Sequence, residues 1–530
     1  MLTDTYCFQI AIRDINERGQ GVGSVMAVLN GADGSAEENI ESRNFPTNHE
    51  KTEQYRGKIC FVDGALPGEE VLATLRQEKR NYLVLDLVEI LKSSPDREAS
   101  DCEYFPECGS CQLRHMDYQA ELHLKEKRVL DLLCRIGPLQ TEVTDIDSTA
   151  TDMAAHSDTI QQSDIPTSGD GHSIFKPIIG MENPFHYRSK SIFPISESTT
   201  ESGDRAVTIG QYRRGTHELV DLQDCKIQSE VALALVNTVR TLTVRDEVSI
   251  YDETEHRGTL RHLVVRVGFS SNQVMVIFVV NDDLADETIE TWIPEFRQTV
   301  HSQGMTLQSV WLNDMDTRGN RILSSEYRLL DGAETIEETI NGVTYQISPD
   351  SFFQVNPRQA AVLFDRVIDA AALNPGDRVL DLYCGVGALS LQLAASMGTD
   401  CPGEVIGVDN VPQAIQDAEE NAQLNGMTNL RFIEADSTAW LKEYVENSTG
   451  DSFDVIVVDP PRKGLDPGTV EAIKNSDSQR VVYVSCNPAT LARDLSSLHD
   501  KYRIDSVQPV DMFPRTMHVE TVVLMSRVEK

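Results

Sequence analysis

A cysteine at the end of an apolar run is the residue of this chain best placed to do chemistry. Cys486 follows the run Val-Tyr-Val-Ser at 482–485 and precedes Asn-Pro. A run of this kind predicts a buried strand that delivers the cysteine to the edge of a sheet. In an open parallel α/β sheet, ligands and reacting groups lie at that edge. We therefore interpret Cys486 as a nucleophile, and a buried, inert cysteine is the alternative.

Three other cysteines, Cys102, Cys108 and Cys111, lie close enough in sequence to converge on one metal centre. Gly109 permits the tight loop that this convergence requires. Cys225 is the best candidate for a fourth ligand. Four cysteines fit either structural zinc or a [4Fe–4S] cluster, and their spacing does not choose between the two. Unrelated buried cysteines remain the alternative, more so for Cys225 than for the other three.

A glycine turn follows the apolar strand at 378–382. Gly385 and Gly387 let the backbone approach a ligand closely. Asp409 ends the next apolar run about twenty residues later, the spacing at which a carboxylate meets ribose hydroxyls. Ser390 occupies the third glycine position of the dinucleotide fingerprint, which disfavours NAD. We expect an adenosine-containing cofactor.

The elements that carry these residues alternate between strand and helix from about residue 346 onward, which predicts a doubly wound α/β sheet. Two more of its strands end in acids: 430–436 ends in Asp436, and 453–459 ends in Asp459 before a stiff Pro-Pro loop.

Residues 1–95 have short strands and glycine-rich turns, which predicts a small barrel of a kind that can bind nucleic acid. Residues 31–55 are polar and acidic, and we interpret them as an exposed insertion. Residues 139–172 contain no Lys or Arg and many Ser and Thr, which predicts a disordered insertion.

The middle of the chain mixes strands and helices. Residues 118–136 have helical periodicity, with Lys125, Lys127 and Arg128 predicted to be exposed, and 288–303 predicts another helix. Two short basic runs, 187–190 and 258–266, would either face phosphates or form a solvated strand edge.

Composition limits the class of protein. The chain has 530 residues, enough for two to four domains, and a net charge of −37, which disfavours a general nucleic-acid binder. No apolar run is long enough to span a bilayer, and residues 1–5 lack a secretory pattern, so we expect a cytoplasmic protein. Its ten cysteines then favour metal or catalytic roles over disulfides.

Six motifs, taken together and in order, resemble the S-adenosylmethionine-dependent RNA (uracil-5-)-methyltransferases. They are Cys-x5-Cys-Gly-x-Cys at 102–111, Ser-Phe-Phe-Gln-Val-Asn at 351–356, Asp-Leu-Tyr-Cys-Gly-Val-Gly at 381–387, Asp-Pro-Pro-Arg at 459–462, Ser-Cys-Asn-Pro at 485–488 and Phe-Pro-x-Thr-x-His-x-Glu at 513–520. Members with four cysteines methylate 23S rRNA, and related members act on tRNA. The resemblance covers nearly the whole chain except the two acidic insertions.

The resemblance implies a fold and a division of the chain. We expect a TRAM-like RNA-binding barrel at 1–95, a central α+β iron–sulfur and RNA-binding domain at 96–345, and a Rossmann-like methyltransferase domain at 346–530. We expect a monomer with RNA as its partner and no membrane association.

The resemblance also implies site residues. It assigns a [4Fe–4S] cluster to Cys102, Cys108, Cys111 and Cys225. It assigns binding of S-adenosylmethionine to Gln354, Tyr383, Asp409 and Asp459. The chain departs from the family pattern at Ser110, where Gly is common. It also departs at Ala388 and Asp436, where relatives often carry Asn, so neither residue is assigned to the cofactor site.

The chemistry of uracil methylation gives two residues their roles. A thiolate of lowered pKa at Cys486 would add to C6 of a flipped-out uracil, and Glu520 would remove the C5 proton. A helix-cap or surface acid is the alternative for Glu520. Two rival classes are a small-molecule or protein methyltransferase and a non-enzymatic iron–sulfur RNA-binding protein.

Overall fold

The computed structural model describes residues 6–30, 47–139, 173–200, 202–281, 285–318, 321–398, 401–447 and 452–528. No helix in these ranges has the length and apolar character needed to cross a bilayer. The predicted disordered insertion at 139–172 lies outside the described residues, apart from Leu139, which is buried.

The first five strands close into a barrel in the order β1-β2-β3-β5-β4. They are β1 (Tyr6–Ile15), β2 (Gln20–Asn30), β3 (Ile59–Asp63), β4 (Glu70–Glu78) and β5 (Tyr82–Lys92). Alternate residues of β1, Phe8, Ile10 and Ile12, face the barrel core, as the two-residue period of a strand requires. A Cβ at Gly23 would lie 2.3 Å from the carbonyl oxygen of Ala11, so β2 needs glycine there.

A helix, α1 (His49–Tyr55), precedes β3 and packs on the barrel. The Asn48 side chain accepts the amide of Lys51 and begins the helix. Tyr55 is buried and lies edge-on to Phe8, with ring centroids 5.3 Å apart. The predicted exposed insertion at 31–55 is therefore wrong for its last residues, because one face of this polar helix touches the core. Residues 31–46 lie outside the described ranges.

The central sheet has seven strands in the order β12-β11-β10-β9-β6-β7-β8. They are β6 (Lys190–Thr199), β7 (Arg205–Tyr212), β8 (Leu219–Asp221), β9 (Leu260–Gly268), β10 (Gln273–Val280), β11 (Thr306–Asp314) and β12 (Tyr327–Gly332). Helices α3 (Glu230–Arg245) and α4 (Ala285–Ser302) pack on it through a core that includes Val239, Trp292 and Phe296. The hairpin β13 (Ile336–Ile340) and β14 (Val343–Ile347) follows.

Both interpretations of the basic run 258–266 are wrong. Strand β9 lies inside the central sheet between β10 and β6, and all its residues are buried. Arg261 donates to the carbonyl oxygen of Met315 at 2.7 Å, and Arg266 donates to that of Ser348 at 2.8 Å. Both guanidinium groups donate to loop carbonyls, and neither lies on a solvated strand edge.

The third sheet also has seven strands, in the order β17-β16-β15-β18-β19-β21-β20. Its strands are β15 (Arg378–Leu382), β16 (Glu404–Asp409), β17 (Leu430–Glu434), β18 (Val455–Val458), β19 (Arg480–Ser485), β20 (Tyr502–Val510) and β21 (Glu520–Arg527). Its helices are α5 (Pro357–Ala371), α6 (Ala388–Met397), α7 (Pro412–Leu424), α8 (Ser437–Asn447), α9 (Pro467–Asn475) and α10 (Pro488–Leu498). Strands β15 to β19 pair in parallel, and β21 pairs antiparallel with both β19 and β20.

Chain from before the central sheet also packs on the third sheet. Helix α2 (Tyr118–Arg135) lies against α10, and its Val129 and Leu133 join the core under the sheet. Phe175 and Ile179 bridge in parallel to β20 at Val507 and Val510.

Lys125 of α2 is fully buried, so its predicted exposure is wrong. Its Nζ donates to Glu121 and to Asp511, each at 2.7 Å, and to the carbonyl oxygen of Phe513 at 3.3 Å. Burial opposes the ammonium charge, but Asp511 and Glu121 outweigh burial and raise the pKa of Lys125. A buried charge pair therefore fastens α2 to the loop that leads into β21.

The same loop is held by chain that adjoins Cys111. The backbone amides of Gln112 and Leu113 donate to the carbonyl oxygen of Arg515 at 2.9 and 3.1 Å. The Arg515 amide in turn donates to Glu121 at 2.7 Å. The loop between β20 and β21 is thus fixed from two sides.

Replacing Lys125 with Met is expected to destabilise this joint. The carboxylates of Glu121 and Asp511 would stay buried without their cation, at a cost of roughly 3–5 kcal/mol. Urea unfolding measures the loss, and faster amide hydrogen exchange across residues 511–518 shows that it is local.

Lys127→Met is the matched control on the same helix. Lys127 is 43% exposed and pairs with Asp131 at 2.7 Å, so we expect a loss below about 1 kcal/mol. Equal losses in the two variants would contradict the joint.

Candidate active site

The register of the third sheet brings three of the sequence-predicted residues to one edge. Leu382 pairs with Val408 and with Val458, so the residues that follow them, Tyr383, Asp409 and Asp459, end neighbouring parallel strands. Cys486 follows the last residue of β19, the next strand of the sheet. The carboxyl edge therefore gathers side chains from four strands.

Glu520 joins this edge because β21 runs antiparallel to β19. Ser485 lies opposite Thr521, so the next positions outward are Cys486 and Glu520. Glu520 is buried, and burial, with the charge of Asp459, raises its pKa to about 8 against the opposing effect of Arg462. Glu520 is therefore neither a helix-cap nor a surface acid.

The thiol of Cys486 departs from expectation. Burial, and then the charges of Glu520 and Asp459, raise its pKa to about 11, while Arg462 lowers it. The sequence predicted a lowered pKa. The strand edge that exposes the thiol to a ligand also surrounds it with carboxyl groups. A cation that entered the site would shift the thiol toward its thiolate.

Two further buried carboxyl groups, those of Asp459 and Asp381, would also be stabilised in their charged form by a bound cation. Burial raises the pKa of Asp459 and of Asp381 to about 7. Asp381 accepts a hydrogen bond from Ser390. S-adenosylmethionine carries a sulfonium cation, so the carboxyl groups present fit its charge.

The glycine turn fits the adenosine part of the same cofactor. Gly385 and Gly387 have φ of 53° and 72°. A Cβ at Gly387 would lie 2.7 Å from the Phe432 ring, so glycine is required there. Asp409 accepts the amide of Gly385 and that of Val411, each at 3.0 Å, which fixes its carboxylate beside the turn.

Tyr383 and Gln354 are held by contacts with neighbouring elements. Tyr383 has a positive φ of 65°, and its hydroxyl lies 3.2 Å from that of Thr469. Gln354 lies in the loop before α5, where its carbonyl oxygen accepts the Ser189 hydroxyl at 3.3 Å. Asn356 of this loop donates to the carbonyl oxygen of Met512 at 2.9 Å. The loop thus contacts both the central sheet and the segment that leads to Glu520.

Arg462 and His518 lie beside Cys486 and Glu520, although neither residue was assigned a role from the sequence. Arg462 shifts the pKa of Cys486 and of Glu520, and its Nη2 lies 3.5 Å from Nε2 of His518. Burial, and then the charge of Arg462, lower the pKa of His518 to about 4, so its ring is neutral at pH 7. Their motifs, Asp-Pro-Pro-Arg and His-x-Glu, were the available signal.

The four predicted cluster cysteines come together in the fold. Burial, with the charges of the other three thiols, raises the pKa of Cys111 to about 12. Burial, with the charges of Cys108 and Cys102, also raises the pKa of Cys225. Within the described ranges, no three His, Cys, Asp or Glu side chains form a group that could hold a metal ion. The thiols are neighbours, but they are not arranged around a single ion.

We call residues 102–113 the cysteine loop. A cavity of about 1370 Å³ lies between the barrel, the cysteine loop and His518. Five arginines line it. One is Arg18, and the other four each contact a carboxylate: Arg76, Arg97, Arg213 and Arg214. Arginines that are far apart in sequence, at 76 and at 213–214, thus face one cavity, which is open to a large ligand.

Comparisons with known proteins agree with this geometry. The family model described as tRNA (uracil-5-)-methyltransferase matches residues 248–528. An uncharacterised RNA methyltransferase of Bacillus cereus is 38% identical over 486 residues, which cover 90% of this chain and 93% of the relative. Another, from Halalkalibacterium halodurans, is 37% identical over 470 residues, which cover 88% and 92%.

A crystal structure shares the fold. It is that of the Pyrococcus abyssi tRNA (uracil-54, C5)-methyltransferase in complex with S-adenosyl-L-homocysteine. The superposition covers 98% of this chain and 100% of the Pyrococcus chain, with a TM-score of 0.66 and 23% sequence identity. The resemblance read from the motifs is confirmed, and the two rival classes are excluded. The chain belongs to the tRNA (uracil-5-)-methyltransferase family and is an S-adenosylmethionine-dependent RNA uracil-5-methyltransferase.

Proposed function

We propose that this enzyme methylates C5 of a specific uridine in 23S rRNA through a covalent bond between Cys486 and C6 of the base. One observation carries the proposal: Cys486 and Glu520 end adjacent antiparallel strands, and the charge of Glu520 raises the pKa of the Cys486 thiol. A nucleophile and a base lie within reach of one small ring.

Uracil needs both groups. C5 is a poor nucleophile, and addition of the Cys486 thiolate to C6 converts the ring into an enolate that is reactive at C5. S-adenosylmethionine supplies the methyl group. Glu520 then takes the C5 proton, and the Cys486–C6 bond breaks as the ring double bond returns. The base must leave any helix to reach this edge.

The pKa of Glu520 suits the role of a base. At about 8, it lies close to neutral pH, where a general base works best. Arg462 favours the ionised carboxylate, and Asp459 opposes it. We assign binding of S-adenosylmethionine to Gln354, Tyr383, Asp409 and Asp459, with Asp459 also orienting the reacting groups.

We assign a [4Fe–4S] cluster to Cys102, Cys108, Cys111 and Cys225. Four thiols are the ligand set of such a cluster, which spaces its ligands more widely than a single ion does. Burial raises the pKa of Cys111 and of Cys102, and the charge of the buried Arg114 nearby opposes that rise, which favours thiolate ligands. Because Gln112 and Leu113 hold Arg515, the cluster would serve as a structural brace for the loop before Glu520.

We assign RNA binding to the barrel at 1–95, as a TRAM-like domain, and to the central domain at 96–345, ahead of the methyltransferase domain at 346–530. The cavity lined by barrel, cysteine loop and His518 supports this division. The set of four cysteines favours 23S rRNA as the substrate. The description of the matching family model favours the second candidate, a tRNA uridine.

An oligonucleotide that contains 5-fluorouridine should trap the wild-type enzyme covalently, since fluorine at C5 cannot leave as a proton does. Cys486→Ala is expected to abolish both methylation and this trapping, because the variant lacks the thiol that bonds to C6. Glu520→Gln should instead accumulate the adduct on ordinary uridine, because the C5 proton stays. Denaturing gels and peptide mass spectrometry locate the adduct. Cys134→Ala, a half-buried cysteine on α2, is the control. An adduct on any other side chain would contradict the mechanism.

Cells that lack the gene are expected to lose 5-methyluridine at one or more positions of 23S rRNA, with tRNA unchanged. Mass spectrometry of both RNAs measures this, and wild-type but not Cys486→Ala protein should restore the modification. Loss in tRNA alone would assign the second candidate.

Cys225→Ser is expected to lower the iron and acid-labile sulfide content of protein purified without oxygen, while Cys134→Ser leaves it unchanged. A chelator that strips the iron should also speed hydrogen exchange at 511–518. Protein that contains zinc and no sulfide would refute the cluster.

A further inference from the structure

Two adjoining cavities, of about 500 and 330 Å³, lie on the central sheet. None of the residues that line them belongs to the Cys486 site or to the cysteine loop. They share one set of residues, which we call the base cavity: Tyr212, His217, Tyr251, Glu253, Arg261 and His262.

The walls of the base cavity are flat. The Arg261 guanidinium lies 4.1 Å from the centroid of the Tyr251 ring, and the Tyr251 hydroxyl lies 2.8 Å from Nδ1 of His256. Tyr212 and His217, which also line both cavities, meet edge to face with ring centroids 5.9 Å apart. Aromatic rings and guanidinium planes are the surfaces on which unpaired nucleobases stack.

The floor of the base cavity holds buried polar atoms that lack partners. Arg261 and His262 are 5% and 6% exposed. Among the described residues, neither Nε of Arg261 nor Nδ1 of His262 has a hydrogen-bond partner. Burial lowers the pKa of His262 to about 4, so its ring is neutral at pH 7 and presents one donor and one acceptor. Buried polar atoms without partners destabilise a protein, so they indicate a ligand.

The rim selects the kind of ligand. Glu197, Asp252 and Glu253 line the cavities, and His217, whose side chain is 82% exposed, lies 3.7 Å from Glu253. Carboxylates repel phosphate but accept hydrogen bonds from exocyclic amino groups. Adenine, guanine and cytosine carry such a group, and uracil does not.

We propose that the base cavity binds an unpaired, amino-bearing nucleobase of the RNA substrate, apart from the uridine that is methylated. This inference rests on the proposed function. His262 lies four residues before Arg266 on β9, about 13 Å along the strand at 3.3 Å per residue. Arg266 donates to the hydroxyl of Ser351, in the loop that contains Gln354. Strand β9 therefore connects the base cavity to the loop that contains Gln354, and a second base bound in the cavity would help to select the target.

Photo-crosslinking with an RNA oligonucleotide that carries 8-azidoadenosine tests the base cavity. The protein is the full chain with Cys486→Ala, so that no covalent methylation intermediate interferes. We expect adducts on peptides that contain Tyr212, His217 or Tyr251. Tyr251→Leu should reduce their yield about tenfold, the effect of losing one stacking partner. Adducts confined to other peptides would overturn the proposal.

His217→Ala guards against misfolding, because an exposed rim side chain does not affect the core, and it too should reduce the yield. His301→Ala, an exposed histidine at the end of α4, is the matched control and should leave it unchanged. Competition by inorganic phosphate would reveal an anion site and also overturn the proposal. Crosslinking without 5-methyluridine formation by the wild-type enzyme would refute only the proposed function. Methylation without crosslinking in the base cavity would refute only this inference.

Discussion

The antiparallel pairing of β19 with β21 is the constraint on which the active site depends. The register that sets Ser485 opposite Thr521 makes Cys486 and Glu520 neighbours, although they are far apart in sequence. Side chains alternate between the faces of a strand, so a slip of one residue would turn Glu520 to the other face of the sheet. A parallel β21 would deliver its opposite end to this edge. The reversed strand therefore makes the proposed two-residue reaction centre possible beside a run of parallel strands.

That register is held from outside the sheet. The loop before β21 is tied to α2 by Lys125 and Asp511, and to the cysteine loop by the carbonyl oxygen of Arg515. Both ties come from chain nearly four hundred residues earlier. The segment that carries the cysteines is thus a mechanical neighbour of the catalytic edge. The cluster that we propose at the four cysteines would act through this contact, without any redox step.

The sequence pattern alone was enough to predict the third sheet. Its apolar strands end in Asp409, Asp459 and Cys486, a pattern that indicates a parallel sheet and the position of its carboxyl edge. The sequence pattern failed where a distant partner decides the outcome. Lys125 has helical spacing typical of an exposed residue. It is buried because Asp511, which is distant in sequence, compensates the charge of its ammonium group. The prediction for Arg261 was wrong for the same reason, since its Nη1 donates to the carbonyl oxygen of Met315, which is distant in sequence. The raised pKa of Cys486 depends on strand order, which spacing along the chain does not contain.

The charge of the molecule shapes how it must recognise RNA. With a net charge of −37, the chain repels phosphate at a distance. The arginines of the large cavity do not reverse this, because Arg76 contacts Asp63 and Asp86, and Arg97 contacts Glu69. Pairing leaves each guanidinium in place while cancelling most of its long-range attraction. Affinity must then come from shape and from contacts with bases, which act only when the correct RNA is docked. An acidic surface with buried polar and aromatic contacts therefore favours discrimination among RNAs over tight general binding.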